Sequence, residues 1–134
     1  MCVLNTKYQI RYRRFVLNNY EIGMIGEEAV ALYLEKVGCN ILCRNFRTTN
    51  GEIDVIFEEG GDIVFGEVKT RTNNNYGYPC EAVDRKKRRK IIYVAKQYVS
   101  MNEINDMTIR FDIFEVYYNE RKIRHIRDAY FEEI

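Results

Sequence analysis

Two short strings carry residue types suited to phosphodiester chemistry, Gly51-Glu52-Ile53-Asp54 and Glu67-Val68-Lys69. Each sets charged residues two apart inside an apolar run, and in a strand the side chains at i and i+2 share a face. Glu52 and Asp54 are therefore expected on one face, and Glu67 and Lys69 on one face. The intervening Glu58-Glu59-Gly60-Gly61-Asp62 reads as a hairpin turn. A two-residue Gly60-Gly61 loop pairs Glu59 with Asp62 and fixes the register, and a four-residue loop from Glu59 to Asp62 gives the same pairs. Counting back, Asp54 falls opposite Glu67, and Glu52 opposite Lys69. Directly opposed side chains lie roughly 5 Å apart, where like charges repel. Two carboxylates held face to face, with a lysine one step along, call for a cation. The pattern is that of a divalent-metal site for phosphodiester hydrolysis.

The elements that must position these residues follow from periodicity and punctuation. Asn18 or Asn19 can cap a helix running to Val37, stopped by Gly38, with Ile22, Ile25, Ala29 and Leu32 as its apolar stripe. Residues 41–47 read as a first strand and Thr48-Thr49-Asn50-Gly51 as a turn. The motif strands follow at 52–58 and 62–70, then a polar loop over 71–79 that holds the only proline, Pro79. A second helix is expected over 84–100, burying Ile91, Val94, Ala95 and Tyr98. Strands at 108–118 and 122–127 flank a turn at Asn119-Glu120. The order α-β-β-β-α-β-β is that of a mixed α/β domain with helices covering a central sheet. Residues 1–17 form an irregular arm in which Arg11, Arg13 and Arg14 interleave with Tyr8, Tyr12 and Phe15, and residues 18–134 form one domain. An accessory phosphate contact from that arm is the alternative to a partly ordered tail, and the tail is the simpler reading.

Composition narrows the function classes. At 134 residues, 46% apolar and 31% charged, the chain suits one globular domain. Its formal net charge of +1 means that any attraction to nucleic acid is local. No apolar stretch resembles a signal peptide or reaches the roughly 20 residues of a membrane span, so a soluble cytoplasmic protein is expected. Cys2, Cys39, Cys43 and Cys80 lack the tight spacing of a zinc site and read as reduced, structural thiols. The single histidine, His125, argues against nuclease chemistry built on histidine pairs or on a histidine with a metal. The tyrosines read as core and strand residues rather than base-stacking platforms.

The second helix opens on six consecutive cations, Arg85, Lys86, Lys87, Arg88, Arg89 and Lys90. The helix dipole is positive there, so each exposed cation is unfavourable by some tenths of a kcal/mol. Asp84 as a cap and Glu81 before it offset part of this. A nucleic-acid phosphate would relieve the rest; a solvated helix face is the alternative.

With these residues placed, the chain resembles the bacterial YraN family. Its members are predicted endonucleases, distantly similar to archaeal Holliday junction resolvases, within the PD-(D/E)xK restriction-endonuclease-like superfamily. The resemblance runs from about Gly23 to Phe131. It takes in Gly26-Glu27, Ala29 and Tyr33-Leu34, then Arg44-Asn45-Phe46-Arg47 and Gly51-Glu52-Ile53-Asp54. Further along come Glu67-Val68-Lys69-Thr70-Arg71, Gly77 with Pro79, Glu81-Ala82-Val83, Lys87 and His125-Ile126-Arg127-Asp128-Ala129. One departure is Gly66, where the family pattern has a bulkier apolar residue.

The resemblance implies a three-layer α/β/α fold around a mixed five-stranded sheet and an Mg²⁺- or Mn²⁺-dependent endonuclease acting on DNA, with branched or single-stranded DNA in repair or recombination as candidate substrates. It implies that Asp54, Glu67 and the Val68 main-chain carbonyl hold the metal, that Lys69 orients the attacking water and stabilises transition-state charge, and that Glu27 is a further acidic ligand. A glutamate favoured by the helix dipole is an equal reading of Glu27. Glu52 is expected as a partner of Lys69 or an outer ligand. Arg71, Lys87 and Arg88 are candidate phosphate contacts, with plain surface charge as the alternative. His125 and Asp128 read as structural, and a homodimer would suit a two-strand cut. A non-catalytic nucleic-acid-binding module on the same fold is the other functional class, although such a module would be expected to lose Asp54, Glu67 or Lys69.

Overall fold

The computed structural model describes residues 17–72 and 83–132. All but the last residue of the expected arm and most of the loop at 71–79 lie outside the described residues, as do Cys2, Cys80 and Glu81. The elements are α1 (Asn19–Lys36), β1 (Asn40–Thr48), β2 (Gly51–Glu59), β3 (Asp62–Arg71), α2 (Arg85–Met101), β4 (Thr108–Tyr117) and β5 (Lys122–Tyr130). They form one sheet in the order β1-β2-β3-β4-β5. β3 and β4 run parallel and every other neighbouring pair is antiparallel. Parallel neighbours need a long crossover, and the segment carrying α2 supplies it. The architecture is the expected restriction-endonuclease-like α/β domain.

Local chemistry fixes the helix starts. The Asn18 side chain accepts from the Glu21 N–H at 2.8 Å, and the Glu21 carboxylate accepts from the Asn18 N–H at 3.0 Å, a reciprocal capping box. Asp84 caps α2 by accepting from the Lys87 N–H at 2.8 Å. Glu59 pairs with Asp62 across Gly60-Gly61, with Gly60 at φ 61°, as the hairpin reading requires.

Each face of the sheet buries its own core. Under α2, Ile91, Val94 and Ala95 pack with Ile53, Ile56, Ile63, Phe65 and Ile113. Under α1, Val30 and Leu34 pack with Val55, Phe57, Val64 and Phe114. The buried stripe of α2 is the expected one, with Tyr98 at its edge. That of α1 is not: Gly26, Val30, Ala31 and Leu34 face inward, whereas Ile25 and Leu32 are exposed and Ile22 and Ala29 half-buried. The helix is apolar on several sides, so periodicity left two stripes about one residue apart, or roughly 100° of rotation. Close approach decided between them. A Cβ at Gly26 would lie 1.8 Å from Thr70 Oγ1, so only glycine lets α1 sit this near β3.

β5 also outruns its expected end at Arg127. It continues to Tyr130 through a register shift against Phe111–Ile113, with Asp128 at φ 53°. The freed Asp128 N–H donates to Asp112 Oδ1 at 3.0 Å. The buried Asp112 also contacts Arg110 at 2.8 Å and His125 Nε2 at 2.7 Å, while His125 Nδ1 lies 3.0 Å from the Tyr33 hydroxyl. His125 and Asp128 thus tie α1, β4 and β5 together. Among the described residues, the cysteines Cys39 and Cys43 are free thiols.

Candidate active site

The β2–β3 ladder begins at Glu59–Asp62 and ends at Val55–Gly66, so the next two positions along are Asp54 and Glu67. At that point β2 breaks its alternation. Ile53 and Ile56 both enter the core under α2, while Val55 and Phe57 enter the core under α1. Across on β1, the pairs Arg44–Val55 and Phe46–Ile53 flank Asn45, which has φ 52°. The hairpin therefore opens into a fork. Asp54 leaves the ladder, and its Oδ2 accepts from the Val68 N–H at 2.8 Å.

The fork corrects one expected pair. Glu52 does not face Lys69 in the ladder; it is exposed and ion-paired with Arg47 of β1 at 3.0 Å. Strict alternation cannot be counted through a bend, which is why the register expected for Asp54 and Glu67 does not extend to Glu52 and Lys69.

Asp54 and Glu67 meet in a half-enclosed setting. Burial first, and then the negative charge of Glu67, push the Asp54 carboxyl up to about 8, against the opposing Val68 N–H. Burial and a neighbouring carboxylate thus both disfavour a negative charge on Asp54. Glu67 is only 6% exposed, and its Oε1 receives the ammonium of Lys87 from the first turn of α2. Burial alone would lower the Lys87 pKa, but the bond and charge of Glu67, with Asp54 and Glu52 behind it, raise it. Lys87 supplies the positive charge of this acidic pocket.

Glu27, one residue past the Gly26 contact, stands at the pocket's edge. Burial and then the charge of Glu52 raise its pKa, with Glu67 adding and Arg44 opposing. Even so, among the described residues no three Asp, Glu, His or Cys side chains converge closely enough to hold a metal ion. Two carboxylates converge, with the Val68 main chain beside them. That set still fits Mg²⁺ or Mn²⁺. Both prefer hard oxygen donors, and Mg²⁺ commonly keeps several waters and takes one or two protein carboxylates. A carboxyl whose charge is opposed by a neighbouring carboxylate marks a place where added positive charge is favourable.

Lys69 lies two residues beyond Glu67 on β3, half-buried and without an ion pair among the described residues. The other expected phosphate contacts are already occupied. Arg71 Nε lies 3.9 Å from Glu115, a fully buried carboxylate of β4 that also accepts from the Tyr117 hydroxyl. Arg88 Nε donates to the Val83 carbonyl at 2.8 Å, and its guanidinium stands 5.4 Å from the centre of the Tyr130 ring. Arg88 is thereby held to the scaffold around the pocket, whereas Arg71 Nε faces Glu115 without a hydrogen bond among the described residues.

Sequence reasoning missed two residues here. Glu115 pairs in register with Lys69, and its place inside an apolar strand, Ile113-Phe114-Glu115-Val116, was a readable signal. Tyr130 gave none; burial and the charge of Glu67 push its hydroxyl up, and its ring stacks on Phe111 at 5.2 Å.

Comparison with known proteins places this geometry in a lineage. The family model described as "Uncharacterised protein family UPF0102" matches residues 26–116, a span that holds Glu27, Asp54, Glu67, Lys69 and Lys87. A UPF0102 protein of Clostridioides difficile is 47% identical over 114 residues, covering 85% of this chain and 100% of that relative. One of Caldanaerobacter subterraneus is 43% identical over 119 residues, covering 85% of this chain and 98% of the relative. A solved structure of Pyrococcus furiosus SfsA in complex with Ca²⁺ aligns over 93% of this chain and 64% of that one at 14% identity, with a TM-score of 0.27, too slight to carry fold or function. With more than half its length matched and near-full-length relatives above 40% identity, the chain belongs to the UPF0102 family, the YraN family of its motifs.

Proposed function

We propose that this protein is an Mg²⁺- or Mn²⁺-dependent endonuclease that hydrolyses phosphodiester bonds in DNA. The supporting observation is the forked hairpin end, where Asp54 meets Glu67 across the Val68 main chain, with Lys69 two residues along β3 and without an ion pair among the described residues. Asp54 and Glu67 would hold the cation, with Val68 offering its main-chain carbonyl and Glu27 standing behind. When bound, the metal supplies charge neutralisation at the scissile phosphate and a water acidified for attack.

The chain's own residues do the rest. Lys69 Nζ would orient the attacking water and neutralise charge growing on the phosphate oxygens, an interaction stronger in the transition state than in the ground state. Lys87 would leave Glu67 and meet a phosphate of the bound strand. Its flexible four-carbon stem permits that exchange.

A second reading is favoured by the same Lys87–Glu67 contact. A pocket that carries its own cation needs no metal, as in a binding module that no longer cleaves.

Cleavage of single-stranded, duplex, flap and four-way-junction DNA, with and without Mg²⁺ and Mn²⁺, separates the two. Asp54→Asn, Glu67→Gln and Lys69→Ala should each remove most cutting, and only the first two should also remove Mn²⁺ binding. Absence of cleavage by wild type on every substrate would hand the function to the binding module.

A further inference from the structure

On the other side of α2 from Lys87 lies a groove of about 570 Å³ between the helix and the end of β5. One wall carries Arg85, Arg89, Tyr93 and Lys96, spaced at helical repeats along one face. The opposite wall is Tyr130 and Phe131. Two of its rings face solvent, with Tyr93 54% exposed and Phe131 74% exposed. Among its described lining residues, Arg85, Arg88, Arg89 and Lys96 stand against one carboxylate, Glu132, which is paired with Lys96, and Arg88 is engaged by the Val83 carbonyl and the Tyr130 ring. The chain as a whole is nearly neutral, at +1, so this excess is local. Tyr93, Phe131, Arg89 and Lys96 take no part in the acidic pocket, while Arg88 and Tyr130 border both.

The geometry points to a binding groove for a single-stranded nucleic acid, whose bases stack on Tyr93 and Phe131 while its phosphates meet Arg89 and Lys96. Exposed rings interleaved with cations are the combination that unpaired strands require, since each base has a π-face and each link a negative charge. A duplex hides its base faces and would engage only the cations. An acidic peptide would likewise engage the cations and leave both rings idle. From Arg85 to Lys96 the wall rises about 16 Å, at roughly 1.5 Å per residue, which gives room for a short run of nucleotides.

For the proposed nuclease, on which this consequence rests, the preferred substrate is then DNA with a single-stranded arm. The arm lies in the groove, and the scissile phosphate lies across the helix start at Asp54 and Glu67. Binding in the groove needs no metal, so it can be tested apart from cleavage.

The test is fluorescence anisotropy of the full chain with a fluorescein-labelled oligothymidylate, a duplex of equal length and a polyglutamate competitor, all in EDTA. Wild type should prefer the single strand to the duplex, and polyglutamate should compete poorly at equal charge. Tyr93→Ala with Phe131→Ala should weaken the single strand by roughly tenfold or more, since stacking contributes about 1–3 kcal/mol per base, and should leave the duplex nearly unchanged. Arg89→Ala should lower the slope of log K against log salt by about 0.7. Both rings are exposed, so a melting curve matching wild type is expected and serves as the folding control. Equal affinity for single strand and duplex, an unchanged single-strand affinity in the double variant, or efficient displacement by polyglutamate would each overturn the groove. Loss of cleavage with binding intact would overturn only the nuclease reading.

Discussion

Removing the charge of Asp54 should stabilise the metal-free protein, and the gain should grow with pH. The folded carboxyl titrates at about 8, against an ordinary value of 3.8. A folded pKa raised this way contributes stability that is full below the unfolded value and is lost as pH rises through the folded one. Wild type should therefore lose stability from about pH 4 and level off above about pH 8, whereas an asparagine carries no such slope. Between pH 5 and pH 8.5 the difference spans about three pKa units, a ceiling of about 4 kcal/mol at roughly 1.4 kcal/mol per unit. Relaxation around Glu67 and Lys87 should reduce this to about 2 kcal/mol, with the asparagine oxygen still accepting the Val68 N–H. In a domain of this size that is a shift of several degrees in Tm. The measurement is thermal melting of wild type and Asp54→Asn across pH in EDTA. With Mn²⁺ added the order should reverse, because only wild type gains binding free energy. An asparagine variant less stable than wild type at pH 8.5 in EDTA, with no dependence on pH, would refute the raised Asp54 pKa and make Asp54 a structural anchor of the fork.

Four further outcomes follow from the same contacts. Lys87→Gln should lower the metal-free Tm, because it strands a buried carboxylate, yet tighten Mn²⁺ by about tenfold in calorimetric titration, because no ammonium then competes for Glu67. Lys69→Ala should leave Mn²⁺ affinity and Tm nearly unchanged while removing most cleavage in single-turnover assays. Gly66→Val should cost about 1–3 kcal/mol by overpacking in denaturant unfolding, since even a Cβ there would lie 2.8 Å from both Phe114 and Val55. Asp112→Asn should cost about 3–5 kcal/mol near neutral pH by breaking a buried ion pair. Burial opposes the Asp112 charge, but bonds from His125, Arg110 and the Asp128 N–H hold its pKa below 3.8; the wild-type advantage should therefore be present above that value and fade as pH falls through the folded one.

What was legible in the sequence was whatever rests on local rules. Charged residues two apart around a Gly-Gly turn specify a hairpin and its register as far as Val55–Gly66, and Asp54 meets Glu67 just beyond that last pair. Caps, the α2 stripe and the element order are similarly local. The misreadings all involve a partner remote in sequence. Which stripe of α1 turns inward depends on Thr70 lying under Gly26. The bend at Asp54 involves Asn45 on another strand, and the extension of β5 involves Asp112 accepting the Asp128 N–H. The departure at Gly66 is a case of compensation. Phe114, from the parallel neighbour β4, fills the space that a bulkier side chain would take, so the strand beside Glu67 is packed.

The cation run at the start of α2 is the feature that local rules judged least favourable, and the fold answers it by dividing the run. Six cations wrap the helix at about 100° per residue, so no single surface receives them. Lys87 meets Glu67 in the acidic pocket, and Arg88 meets the Val83 carbonyl and the Tyr130 ring. Lys86 and Lys90 line a recess with Glu52 and Asp84 on the pocket side, while Arg85 and Arg89 line the groove on the other. Repulsion along the helix is thus relieved at Lys87 and Arg88 by specific partners, while Lys86, Arg89 and Lys90 remain exposed. The division also leaves cations on both sides of the helix start, one set beside the pocket and one around the helix. A solvated face would have no reason to put Lys87 on a carboxylate that is only 6% exposed. On the proposed function, Lys87 is the residue whose release from Glu67 would admit a phosphate to the pocket.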